Sequence, residues 1–152
     1  MIKNNHNFFL KYWLPVILWV SFTFWMSSGA FASSNTSRFI EPILRFLMPA
    51  LSDANVHLIH GVIRKLAHVT EYFVLGLLLF RAFKNNSTDI KTWRWASYSM
   101  MVIILFALAD EFHQSFVVTR TSSFIDVGID IVGGFLGLST TVIWNHLRRN
   151  AS

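Results

Sequence analysis

The sequence predicts an all-α integral membrane bundle of about four transmembrane helices, with an interfacial amphipathic helix between the first and second. Three observations carry this. Of the 152 residues 53% are hydrophobic and the mean hydropathy is +0.46, too apolar for a domain with a polar surface. The apolar residues gather in long runs, each able to cross a hydrocarbon core of roughly 30 Å. The 13 Lys and Arg residues are spread along the ends of these runs, as flanks that record orientation usually are. The chain from 1 to 152 reads as a single domain.

The first run, Phe8 to Ala32 (FFLKYWLPVILWVSFTFWMSSGAFA), supplies about 20 mostly apolar residues after Lys11 and is assigned to the first transmembrane helix. A cleaved signal peptide is the competing reading, because Lys3 and Lys11 precede the run and Ala30-Phe31-Ala32 resembles a cleavage site. The length of the run and its load of Trp and Phe favour a retained span. Asn35 to Pro49 is too short and too charged to cross. Phe39, Ile40, Ile43, Leu44, Leu47 and Met48 recur there at helical spacing, with Arg38, Glu41 and Arg45 on the other side. That pattern fits an amphipathic helix, either lying on the membrane surface or packed over the mouth of the bundle.

Ser52 is the expected N-cap of the next helix, with Val56, Ile59, Ile63 and Leu66 leading into the second span, Arg64 to Ala82. Lys84 to Lys91 is a loop by composition. The third span runs from about Trp93 to Phe116 and ends in Asp110, Glu111, His113 and Gln114. A loop, Val117 to Ser123, carries Arg120, and the fourth span covers Phe124 to Leu147.

Charge sets the orientation. The amino terminus, the loop between spans two and three and the carboxyl terminus hold eight basic residues, and the opposite side holds five. Both termini are therefore expected in the cytoplasm. The net charge of +5 and pI near 10.0 point to these flanks rather than to nucleic acid, since there is no long basic run and no aromatic stacking platform. The absence of cysteine removes disulfides, thiolate metal ligands and cysteine nucleophiles together.

Four spans in this order bring the start of the second, the end of the third and the start of the fourth to the same side. Glu71, Asp110, Glu111, Asp126 and Asp130, five of the eight acidic residues, then collect at one depth with His68 and His113. A charge well inside a bilayer costs on the order of 3 kcal/mol on insertion scales, so these groups are expected to point into the protein. His57, Arg64, His68, Glu71 and Leu75 fall near one line of the second helix, and Asp110, His113 and Gln114 share a side of the third, with Glu111 turned about 100° away. In the fourth, Asp126 and Asp130 are followed on one stripe by Gly133, Gly137, Thr140 and Thr141, and the two glycines allow close helix packing.

Three readings compete for this cluster. Arg64, Lys65, Arg120 and two histidines would neutralise the acids in a structural network that locks the helices. Alternatively, His68, Glu71, Asp110, His113, Asp126 and Asp130 have the i, i+3 and i, i+4 spacing of carboxylate and histidine ligands in helical bundles, which points to a divalent metal ion. The third is metal-free acid-base or proton-relay chemistry, with Glu71 or His113 as base and Arg120 as anion clamp. No serine sits in a nucleophile motif, and there is no Gly-rich phosphate loop.

The stretch Lys65-x-x-His68-x-x-Glu71-Tyr72-x-x-Leu75-Gly76, then Ala109-Asp110-Glu111-Phe112-His113-Gln114, then Arg120, and finally Asp126-x-x-x-Asp130-x-x-Gly133, resembles the signature of VanZ-like membrane proteins across residues 64–137. One departure is local: Val118-Thr119 precede Arg120 where the family usually has Pro-Gly. The resemblance implies a multi-pass protein of the bacterial cytoplasmic membrane, whose named relatives lower susceptibility to the glycopeptide teicoplanin. It carries over the motif set His68, Glu71, Asp110, Glu111, His113, Gln114, Arg120, Asp126 and Asp130. The function expected on this basis is binding or modifying an outer-leaflet or cell-wall-precursor component. The alternatives are a metal-dependent intramembrane enzyme acting on a lipid phosphate, and a non-catalytic membrane assembly subunit. Expected partners are membrane lipid, with a lipid-linked precursor or glycopeptide as candidate ligands, and a second copy of the chain remains open; nucleic acid is not among them.

Overall fold

A computed structural model describes residues 2–28, 33–85, 92–117 and 123–150. Six helices follow in order: α1 (Ile2–Tyr12), α2 (Leu14–Ser27), α3 (Ser33–Leu47), α4 (Asp53–Lys84), α5 (Thr92–Ser115) and α6 (Phe124–Asn150). Helices α4, α5 and α6 are each long and apolar enough to cross a membrane, and α2 is a shorter apolar helix of 14 residues. The all-α membrane bundle expected from the sequence is thus the architecture found.

The first apolar run is not one uninterrupted rod. Pro15 stands at the start of α2 and has no amide hydrogen, so the carbonyl of Lys11, four residues back, loses its helical donor. The Arg81 guanidinium on α4 donates to that carbonyl instead, at 3.2 Å. Around the break the chain stays helical, with the Trp13 amide bonded to Phe9 and the Ile17 amide to Trp13. Helix α1 therefore feeds into α2 through a proline joint that α4 braces.

Helix α4 starts where the capping signal placed it. The Ser52 hydroxyl accepts from the Asn55 amide at 3.4 Å, and Asp53 follows in the first turn, where its charge complements the helix dipole. At 32 residues the helix is about 48 Å long, more than a hydrocarbon core needs. Its extra N-terminal turns run against α3. Arg45 pairs with Asp53 at 2.5 Å, Glu41 lies 3.9 Å from His57, and Thr36 bonds His60 at 3.0 Å. Thus α3 meets α4 through a mixed face of polar pairs with Ile40 and Leu44 half-buried, and leaves Phe39, Ile43 and Phe46 of the expected apolar face exposed. Asn85 closes α4 with φ of 48°, a left-handed value that asparagine tolerates better than most residues.

Helices α4 and α6 form the most extensive contact and run parallel, with α5 antiparallel beside both. Glycine makes this approach possible. A Cβ on Gly133 would stand 2.5 Å from the Val69 carbonyl, one on Gly137 would overlap the Phe73 carbonyl, and one on Gly76 would stand 2.7 Å from the Gly134 carbonyl. No side chain fits between these backbones, as the small-residue stripe of the fourth span predicted. The core beside them is apolar: Leu75, Leu79, Phe80, Ile103, Ala107 and Leu138 are buried, and Trp13 packs edge-on against Phe83.

Candidate functional site

The directions of the helices bring one polar end into being. The middle of α4, the end of α5 and the start of α6 meet there, and the ends of α1, α4 and α6 lie together at the opposite end, where Arg81 reaches Lys11 and Lys84 bonds Asn145. The convergence follows from alternating helix direction, as the order of spans implied.

Contact at Gly133 draws α6 onto Val69, and the neighbouring His68 thereby meets Asp130, one turn earlier on α6. The His68 Nδ1 atom lies 3.6 Å from Asp130 Oδ1 and 3.8 Å from Glu71 Oε2. Asp130 is almost wholly enclosed, 1% exposed, and neither of its carboxylate oxygens has a hydrogen-bond donor among the described residues. Asp110 joins from α5: one donor atom each from His68, Asp110 and Asp130 lie within 4.8 Å of one another.

A second layer holds these groups. The Gln114 amide donates to Asp110 Oδ2 at 2.9 Å and to the Ser27 hydroxyl at 2.8 Å, tying the end of α2 to the end of α5. Glu111 accepts from the Ser123 amide at 2.7 Å and so fixes the entry to α6. The Trp19 indole donates to the Glu71 carbonyl at 2.9 Å, which seats α2 against α4 at the depth of the cluster. Sequence reasoning missed Ser27, Trp19 and His60; a serine or an indole in an apolar run gives no periodic signal of its partner.

Faces differ from the expectation in one helix. Asp110, Glu111 and Gln114 are buried, whereas His113 is exposed and packs against the Phe24 ring at 5.9 Å. The buried arc of α5 is centred near Gln114, about 40° from Asp110; it includes Glu111, and His113, roughly 100° from its centre, falls outside it. Among the expected metal ligands, His68, Asp110 and Asp130 come together, Glu71 stands beside His68, Asp126 is half-buried on α6, and His113 faces away. Arg120 and its loop lie outside the described residues. His57, on the expected stripe of α4, sits at its exposed end against Glu41.

A structural network of the kind considered from the sequence requires cations beside the buried acids. Among the described residues the group beside Asp130 is the His68 imidazole, and no Lys or Arg lies within 4.0 Å of Asp110 or Asp130; Arg120 is outside the described residues. Arg64 instead lines a cavity of about 190 Å³ between α3 and α4, together with Met26, Thr36, Ile40, His68 and Glu71. The site thus has two joined parts: a cavity with a guanidinium, an imidazole and a carboxylate in its wall, and behind His68 a buried pair of aspartates.

No curated protein and no solved structure matches the chain significantly. A family model described as VanZ/LLP1 matches residues 12–145, and that span takes in α2 through most of α6 and every element of the polar end. The chain belongs to the VanZ/LLP1 family.

Proposed function

We propose that this VanZ-like membrane protein binds the polar part of an outer-leaflet envelope component in the cavity between α3 and α4, a lipid-linked cell-wall precursor or a glycopeptide being the candidate ligands. The observation that supports this reading is the composition of the cavity wall. Arg64 can hold an anionic group with a forked set of donors. His68, Glu71 and Thr36 supply donors and acceptors at a second point, and Met26, Ile40 and Ile63 offer an apolar side for a lipid tail or an acyl chain. The bias of basic residues toward the ends that carry the termini supports a cytoplasmic membrane location with both termini inside and the cavity facing outward.

Binding is measured with the purified protein in nanodiscs, using a polyprenyl-diphosphate-linked cell-wall precursor and teicoplanin as separate probes. Saturable binding of one probe is expected. Arg64→Ala and Glu71→Gln should each weaken it about tenfold, near 1.4 kcal/mol, while the protein keeps its melting temperature. Absence of saturable binding by either probe, or equal affinity in wild type and both variants, sinks the reading. If the glycopeptide is the ligand, expression in a sensitive host lowers teicoplanin susceptibility and Arg64→Ala abolishes the effect.

A further inference from the structure

We infer that His68, Asp110 and Asp130 form a divalent metal site, one that prefers a borderline ion such as Zn²⁺ over Mg²⁺ or Ca²⁺. The inference stands apart from the identity of any bound lipid or glycopeptide.

Two independent observations carry it. The first is geometric. Ligand atoms of the three residues lie within 4.8 Å of one another, and the closest measured pair, His68 Nδ1 and Asp130 Oδ1, is 3.6 Å apart. In a tetrahedral site with bonds of about 2.1 Å, donors stand about 3.4 Å apart, so this pair already has near-ligating separation. Asp110 completes the trio from α5, its ligand atom within 4.8 Å of the other two.

The second is the state of the aspartates. Asp130 is 1% exposed and Asp110 is 5% exposed, yet both oxygens of Asp130 and Oδ1 of Asp110 lack hydrogen-bond donors among the described residues. Buried carboxylate oxygens are normally satisfied, because a bare one has given up its hydration for nothing. Two ionised carboxylates this close in a buried site also repel one another. An imidazolium at His68 would offset one negative charge; a dication offsets both and gives the bare oxygens a partner. The Gln114 amide on Asp110 Oδ2 leaves Oδ1 for the metal and fixes its direction, the usual arrangement around a ligating carboxylate.

The donor set selects the ion. One imidazole nitrogen with two carboxylate oxygens suits Zn²⁺ and neighbouring first-row dications, while Mg²⁺ and Ca²⁺ take oxygen donors. Three protein ligands leave at least one position for water or for an anionic group, and His68 is shared between the trio and the cavity wall.

The test uses the full chain purified in detergent, stripped with chelator and then titrated with Zn²⁺, Mn²⁺ and Mg²⁺, with bound metal counted by mass spectrometry and melting followed in parallel. The expected result is about one Zn²⁺ per chain with a raised melting temperature. Mg²⁺ should not replace it. Asp130→Asn and His68→Gln should lose the ion, and His113→Gln, which lies outside the trio, should keep it. Failure of the stripped wild type to bind any of the three ions overturns the proposal, as does equal binding by wild type and Asp130→Asn. Should Asp130→Asn fail to fold, the wild-type titration and the comparison of His68→Gln with His113→Gln decide alone. Because no lipid or glycopeptide enters this measurement, its failure leaves the cavity reading to its own binding experiment.

Discussion

Gln114 is the side chain on which the cluster leans most. One amide nitrogen serves both Asp110 and Ser27, so truncation strands two buried polar groups at once. Gln114→Leu should therefore lower stability by about 1–3 kcal/mol, read as a fall in melting temperature of about 2–4 °C per kcal/mol. His113→Ala, one residue away and exposed, should move it by no more than about 0.5 kcal/mol. If the two variants melt alike, the hydrogen bonds of Gln114 carry no stability. Much of this was legible in the sequence at the level of residue type and depth, because charge in an apolar run can only point inward. Which face each side chain takes was not legible. The period of a helix orders His113 and Gln114 relative to Asp110, but only the partner helices decide where the buried arc is centred, and here it includes Glu111 and leaves His113 out.

The helices themselves were readable to within a few residues wherever a cap or a long run marked them. Ser52 capped α4 as expected, and α5 and α6 fill the third and fourth spans. The apolar part of the first run after Lys11 corresponds to α2, while the joint at Pro15 was not legible, because hydropathy is continuous across it and the missing amide is a backbone property that hydropathy averages away. The glycines give this scale its prediction. Gly137→Ala places a methyl group against the Phe73 carbonyl and should cost about 1–3 kcal/mol, measured as earlier thermal loss of helical signal. Gly61→Ala, on the same helix as Gly76 but with nothing within 4 Å of its Cβ, should leave melting unchanged or slightly higher. A similar loss in both would show that helix packing is not what Gly137 supplies.

At the scale of the whole molecule, the two ends are unlike each other. One gathers acids, histidines and the cavity; the other gathers the ends of α1 and α6 with Arg81 and Lys84. The order of spans made this convergence legible, since alternating helices must return to the same side, and the resemblance to VanZ-like proteins rests on residues from all three helices that meet there. Packing of α3 over the bundle was one of the two readings its amphipathic pattern allowed, but the pairs that tie it to α4 were not legible, because polar pairs such as Thr36 with His60 join segments 24 residues apart in sequence. A chain free of cysteine makes the polarity of the whole easy to measure. Ala50→Cys, between α3 and α4, should react with a membrane-impermeant maleimide from outside intact cells, and Asn150→Cys only after lysis. The reverse pattern would turn the cavity toward the cytoplasm.

The parallel packing of α4 on α6 also behaves like a key cut for one notch. Gly133 and Gly137 are four residues apart, as are Val69 and Phe73 opposite them. Sliding α6 by one turn in either direction would seat Thr141 against Phe73, or Ile129 against Val69, and neither has room for its Cβ. Register is thus all or nothing, and a slip of about 6 Å would pull Asp130 away from His68 altogether. A protein assembled this way cannot tune the spacing of its cluster by gradual sliding. Any opening for a ligand has to come from the elements that lack such teeth, α3 first among them.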